Sequence, residues 1–123
     1  MSGALEGVLV ADFTRVLAGP YATMLMADAG ATVVKVERPG AGDDTRAWGP
    51  PFAPDGQSTY FQSVNRNKKS IALDLTDSGD LALARRLAQK ADVLIENYKP
   101  GGLRRFGLDY PSVATDNPAV VYC

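Results

Sequence analysis

Any chemistry in this 123-residue chain has to run without histidine, the commonest general base and metal ligand, because the sequence contains none. Its one cysteine is Cys123, so an intrachain disulfide is excluded too. The groups that remain suit an anionic ligand. Arg38 can fork onto a phosphate, Asn97 can donate a hydrogen bond, and the peptide N–H groups after Gly19 open a helix start that attracts negative charge. Lys68, Lys69, Arg104 and Arg105 add cations, each of which competes with a plain solvated role. Gly19-Pro20 by itself is only a helix start, and the Gly40 and Gly42 pair is common in loops. These residue types point to a phosphorylated nucleotide without naming it.

Such groups act together only if strands deliver them to one edge. A first strand runs through Val8 to Val10 and on by Asp12 and Phe13 toward Val16, and Pro20 fits the first turn of the helix that follows. Tyr21 to Ala29 is apolar nearly all round, Gly30 is a left-handed stop, and Thr32 to Val36 reads as a second strand. Between Pro39 and Gly56 the spacing of Gly40, Gly42, Pro50, Pro51 and Pro54 permits neither a regular helix nor a central strand. That long loop is expected to be functional or loosely held.

Ser70 to Leu75 predicts a third strand. Thr76 or Asp77 then caps a helix whose apolar face is Ala84, Leu87, Ala88 and Ala91. Asp92 to Glu96 is a fourth strand, a helical turn is expected near Pro111 to Ala114, and Ala119 to Tyr122 is a fifth strand. Short apolar strands alternating with helices predict an α/β fold, a Rossmann-like parallel sheet with helices on both faces. In such sheets ligands sit beyond the carboxyl ends of the strands, where strand order reverses. The rule selects Val16 to Gly19, Glu37 and Arg38, Leu73 to Leu75, and Asn97 to Lys99.

Composition sets the outer bounds. Hydrophobic residues at 46% and charged residues at 22% are those of one ordinary globular domain. A formal net charge of -1 gives no basic field, so nucleic acid is not expected as a partner. No signal peptide and no membrane span are read, and a reducing cytoplasm fits the single cysteine. Ending one residue after Val120, Val121 and Tyr122 would leave a terminal carboxylate on a buried strand, so a truncated domain is expected.

Four segments together resemble one family: ADFTRVLAGPYA from Ala11 to Ala22, VVKVERPGAGDDTR from Val33 to Arg46, NRNKKSIALDL from Asn65 to Leu75, and DVLIENYKPGGLRRFGLDY from Asp92 to Tyr110. They are similar to the class III CoA-transferases, the carnitine dehydratase and bile-acid-inducible group that also includes α-methylacyl-CoA racemases. The likeness runs from about Gly7 to the last residue. It implies the N-terminal part of a large Rossmann-like domain that binds coenzyme A, needs no metal, and belongs to a homodimer with interlaced chains acting on acyl-CoA and carboxylic acids.

Position by position, the resemblance implies that Val16, Leu17 and Ala18 line the coenzyme, that Arg38 meets its nucleotide end, and that Leu73, Asp74 and Leu75 border the adenine. Asn97, Tyr98, Lys99 and Arg105 would complete the pocket. The family's nucleophile is an aspartate that lies beyond Cys123, so the chain by itself is expected to be inactive. Asp12, Asp28, Asp43, Asp44, Asp74 and Glu96 match other family positions. The stretch from Trp48 through Asn67 resembles transferases more than racemases, and Leu17 stands where members using formyl-CoA carry glutamine, which argues against oxalate or formate.

Two other readings share parts of this pattern. A racemase or a noncatalytic acyl-CoA binder would use the same nucleotide site. A dinucleotide oxidoreductase is suggested by Glu37, which stands 37 - 19 = 18 positions after Gly19. Its fingerprint is lacking, since Arg15-Val16-Leu17-Ala18-Gly19-Pro20 has one glycine where three are wanted.

Overall fold

A computed structural model describes residues 3–123. Five strands, β1 (Leu9–Phe13), β2 (Thr32–Glu37), β3 (Lys69–Ala72), β4 (Val93–Glu96) and β5 (Val121–Tyr122), form one sheet in the order β3-β2-β1-β4-β5. Every pairing is parallel. The chain starts at the centre, steps outward to β3, then returns beside β1 as β4 and continues to β5, so strand order reverses between β1 and β4. The helices are α1 (Ala18–Asp28), α2 (Thr59–Asn65), α3 (Ser78–Lys90) and α4 (Tyr110–Asp116). Single 3-10 turns lie at Asp44–Ala47 and Arg104–Phe106.

Alternation along β1 sends its side chains to two cores. Val10 packs with Ala27, Ala31 and Val33 on the α1 face. Ala11 and Phe13 join Ala84 and Ala88 of α3, Leu94, Phe106, Leu108 and Val113 on the other face. Helices therefore cover both faces, as the alternating strand and helix pattern requires.

Local chemistry explains the element ends. Asp77 caps α3 by accepting the Asp80 N–H at 2.9 Å, and Ser58 caps α2 by accepting the Phe61 N–H at 3.3 Å. Helix α1 begins at Ala18, so Pro20 stands in the first turn as its place in the sequence predicts, where a missing N–H is harmless. A Cβ on Gly19 would lie 2.3 Å from the Thr14 Cβ, so the start of α1 presses directly on the end of β1.

Three expectations change. The third strand stops at Ala72 and lies at the sheet edge with all four residues exposed, so it is not the strand buried on both faces that an all-apolar reading suggests. Leu73, Asp74 and Leu75 fall in the turn beyond it, where the Asp74 carboxylate accepts the Thr76 N–H at 2.9 Å and the Thr76 hydroxyl at 2.6 Å. The stretch from Pro39 to Gly56 follows a defined path, pinned by the 3-10 turn and by the Ser58 hydroxyl donating to the Trp48 carbonyl at 2.7 Å. Trp48 meets the Tyr60 ring edge-on at 5.3 Å between centroids.

Candidate functional site

Charges that the sheet carries into the interior must be paired, because an unpaired buried ion is too costly to keep. Beneath the carboxyl end of β1 lie two such pairs. Lys35 of β2, 1% exposed, meets Asp43, 0% exposed, at 2.9 Å, and the same ammonium donates to the Thr14 carbonyl at 2.9 Å. Lys68, 2% exposed, meets Asp12 at 3.2 Å and donates to the Pro20 carbonyl and Asn65 Oδ1, each at 2.9 Å. The Thr23 hydroxyl donates to the second side of this cluster, reaching Asp12 Oδ2 at 2.6 Å.

Burial dominates the Lys68 ammonium and pushes it down to about 8, against the opposing pull of Asp12. For Asp43 burial favours the neutral acid, yet hydrogen bonds from Thr45 and Lys35 together hold the carboxyl below its ordinary value. Glu37 behaves likewise. Burial is outweighed by Arg46, Ser70 and the Asp43 N–H, and the carboxyl falls to about 2.

Above these pairs the chain turns from β1 into α1, and Val16 takes a φ of 76°. A β-branched residue rarely adopts that left-handed conformation. Its neighbours hold it there. The Val16 N–H donates to Asp43 at 3.2 Å, the Arg15 N–H donates to Asn97 Oδ1 at 3.0 Å, and Asn97 Nδ2 donates to the Arg15 carbonyl at 2.7 Å. Asn97 leaves β4 and Arg15 leaves β1, so this clamp spans the gap at which strand order reverses.

Beside the clamp, a groove of about 180 Å³ is lined by Arg38, Leu73, Asp74, Leu75, Tyr98 and Arg105, among others. A smaller cleft of about 60 Å³ shares Arg38 and Tyr98 and adds Arg15 and Asp43. The Arg15 guanidinium sits 4.6 Å from the Tyr98 ring centre. Arg38 pairs with Asp44 yet keeps 60% of its side chain exposed, so it remains accessible to an incoming anion. The two hollows join an aromatic face, apolar walls and three arginines, a combination suited to a base and its phosphates.

Six of the residues chosen from sequence thus line one groove: Arg38, Leu73, Asp74, Leu75, Tyr98 and Arg105. Val16, Leu17 and Ala18 lie at the turn into α1 and Asn97 meets that turn through the Arg15 backbone, but none of the four lines either hollow. Lys99 is exposed after β4 and lines neither hollow. Lys68, offered as a surface cation near an anion, is instead consumed in the interior, where Asp12 compensates the burial.

Sequence reasoning overlooked Arg15 and the role of Asp43. A signal for the latter was present, since Asp43 caps the following turn by accepting the Thr45 N–H at 3.0 Å, the local pattern of an Asp two residues before a Thr. Glu37, the acid that suggested a dinucleotide, has one oxygen on Arg46 Nη2 and the Ser70 hydroxyl, and the other on Arg46 Nε and the Asp43 N–H. Its carboxylate is committed within the protein, which removes the feature that favoured a ribose-binding acid.

Comparison with known proteins places the chain as a whole. Residues 5–123 match the model of CoA-transferase family III. The chain is 56% identical over 119 residues to succinyl-CoA:glutarate CoA-transferase of Mus musculus, covering 97% of this chain and 27% of that protein. Succinate–glutarate CoA-transferase of Agrobacterium fabrum is 51% identical over 124 residues, with 97% and 31% covered. Among solved structures, a CAIB/BAIF family protein from Brucella suis superposes with a TM-score of 0.95 at 46% identity, covering 100% of this chain and 33% of that one. The chain spans 27% to 33% of the length of these relatives. On a match that takes in nearly every residue, the chain belongs to CoA-transferase family III.

Proposed function

We propose that this chain forms the N-terminal, coenzyme A-binding part of a class III CoA-transferase, which moves CoA from an acyl-CoA thioester to a carboxylic acid. The observation that carries the reading is the groove in which Arg38, Asp74, Tyr98 and Arg105 converge from the ends of three different strands and the turn after β4. Tyr98 and Leu73 offer faces to the adenine, while Arg38 and Arg105 offer charge to the phosphates.

In the proposed reaction an aspartate carboxylate attacks the acyl thioester carbon, CoA leaves as the thiolate, and a mixed anhydride forms. The thiolate then attacks the aspartyl carbonyl, releases the first carboxylic acid and leaves an enzyme-CoA thioester for the second acid to resolve. Several aspartates of this chain are engaged within the protein: Asp12 and Asp43 are locked in buried pairs, Asp28 and Asp44 bind Arg66 and Arg38, and Asp74 binds Thr76. We place the nucleophile beyond Cys123 on the family resemblance, which matches these acids to other positions. The names of the relatives support succinyl-CoA and a five-carbon dicarboxylate as substrates.

Titration with CoA while following thermal unfolding tests the binding site. A ligand present at about one hundred times its dissociation constant stabilises the folded state by about 2.7 kcal/mol. No rise in midpoint with CoA would defeat the preformed site. For the complete enzyme, succinyl-CoA and glutarate should give glutaryl-CoA and succinate in equal amounts by mass spectrometry. Deuterium uptake at the α-carbon of a 2-methylacyl-CoA, with no transfer, would replace this reading with a racemase.

A further inference from the structure

The turn after β1 is held with unusual completeness. Its Thr14 N–H donates to Asp12 at 2.9 Å, its Thr14 carbonyl accepts from Lys35 at 2.9 Å, and Asn97 takes both polar atoms of the Arg15 backbone. The Val16 N–H ends on the Asp43 carboxylate at 3.2 Å. Every backbone polar atom from the Thr14 N–H to the Val16 N–H is thus fixed by a side chain from β1, β2, the residue after β4 or the Asp43 turn. A strained residue persists only where its surroundings over-determine it, and such strain gathers at functional sites.

Asp43 is the member of this set that touches Val16 itself. Its carboxylate is aimed by Lys35 at 2.9 Å and by the Thr45 N–H and hydroxyl at 3.0 and 2.8 Å. Although Asp43 borders the smaller cleft, its side chain is fully buried and spent on these partners. The turn adjoins Arg15, whose guanidinium lies 4.6 Å from the Tyr98 ring centre, and the family resemblance implies that its residues Val16, Leu17 and Ala18 line the coenzyme.

We infer that Asp43 is a positioning residue for acyl-CoA: through the Val16 N–H it keeps the β1–α1 turn in the left-handed conformation that presents Val16 to Ala18 to the coenzyme. This rests on the coenzyme reading above. The contribution is preorganisation, since a turn already in its bound shape loses no ordering free energy when the ligand arrives.

The test compares CoA affinity by calorimetry for the full chain and its variants Asp43→Asn, Val16→Gly and the two combined. Asp43→Asn should weaken CoA binding about tenfold, the scale of releasing one strained backbone conformer. Glycine adopts positive φ freely, so on the Val16→Gly background the same change should cost about threefold or less. In the complete enzyme the loss should fall on KM for acyl-CoA and leave kcat nearly unchanged, whereas a merely destabilised fold would lower the active fraction and hence kcat.

Should Asp43→Asn fail to fold, Thr45→Val removes the hydroxyl that aims Asp43 and keeps the Lys35 pair. It should weaken CoA in the same direction. An equal loss from Asp43→Asn on both backgrounds, or unchanged CoA affinity in Asp43→Asn or in Thr45→Val, overturns the inference. Wild-type chain that does not bind CoA at all would instead overturn the coenzyme reading.

Discussion

Lys68 has been taken out of water to tie three elements together, reaching Asp12 of β1, Pro20 of α1 and Asn65 of α2. That placement has a pH signature. Burial lowers its folded-state pKa from 10.5 to about 8, so between these values the unfolded chain binds a proton that the folded chain has released. Stability must then rise with pH across that window, because the state binding more protons is disfavoured as protons become scarce. Urea unfolding of wild type should show this rise, and Lys68→Met should flatten it. Equal slopes in the two proteins would show that Lys68 is not the group responsible. The sequence placed this lysine near an anion but not inside. A pair of adjacent lysines, Lys68 and Lys69, looks the same in one dimension whichever of them the strand turns inward.

At the scale of elements, helix α1 depends on having no side chain at position 19. An alanine Cβ there would meet Thr14 Cβ at 2.3 Å and Thr14 Cγ2 at 2.4 Å, and Thr14 is buried and hydrogen-bonded to Asp12. Gly19→Ala should cost about 1–3 kcal/mol by chemical denaturation, the usual range for overpacking. A loss below about 0.5 kcal/mol, the level of an ordinary surface substitution, would mean that α1 slides away from β1 without penalty. The order of strands and helices was legible because each apolar run is separated by a helical pattern or a turn signal. Helix α2 was not, since its seven residues bury only Val64 and so carry no apolar stripe. Leu73 misled in the opposite direction. It is buried like a strand residue, but in the turn beyond β3, and burial alone does not distinguish the two.

Across the whole molecule, the candidate site draws on residues from Arg15 to Arg105, and its convergence was legible only through the rule that ligands bind at the carboxyl ends of parallel strands. The rule finds the edge but does not separate groups that face the ligand from groups that hold the backbone, which is why Asp43 passed for a loop residue. The surface also carries an apolar stripe: Leu17, Tyr21 and Leu25, four residues apart along α1, are each about half exposed. A stripe of that kind promotes association. Sedimentation velocity should show concentration-dependent self-association of the chain that Leu25→Lys reduces, and a wild-type monomer at all concentrations would refute it. The lone tryptophan is the last consequence. Trp48 lies outside both cores, against Tyr60 in the excursion between β2 and β3. Its fluorescence therefore reports on that excursion, while circular dichroism reports on the sheet and helices, so the coincidence of the two melts measures whether the excursion and the sheet unfold as one cooperative unit.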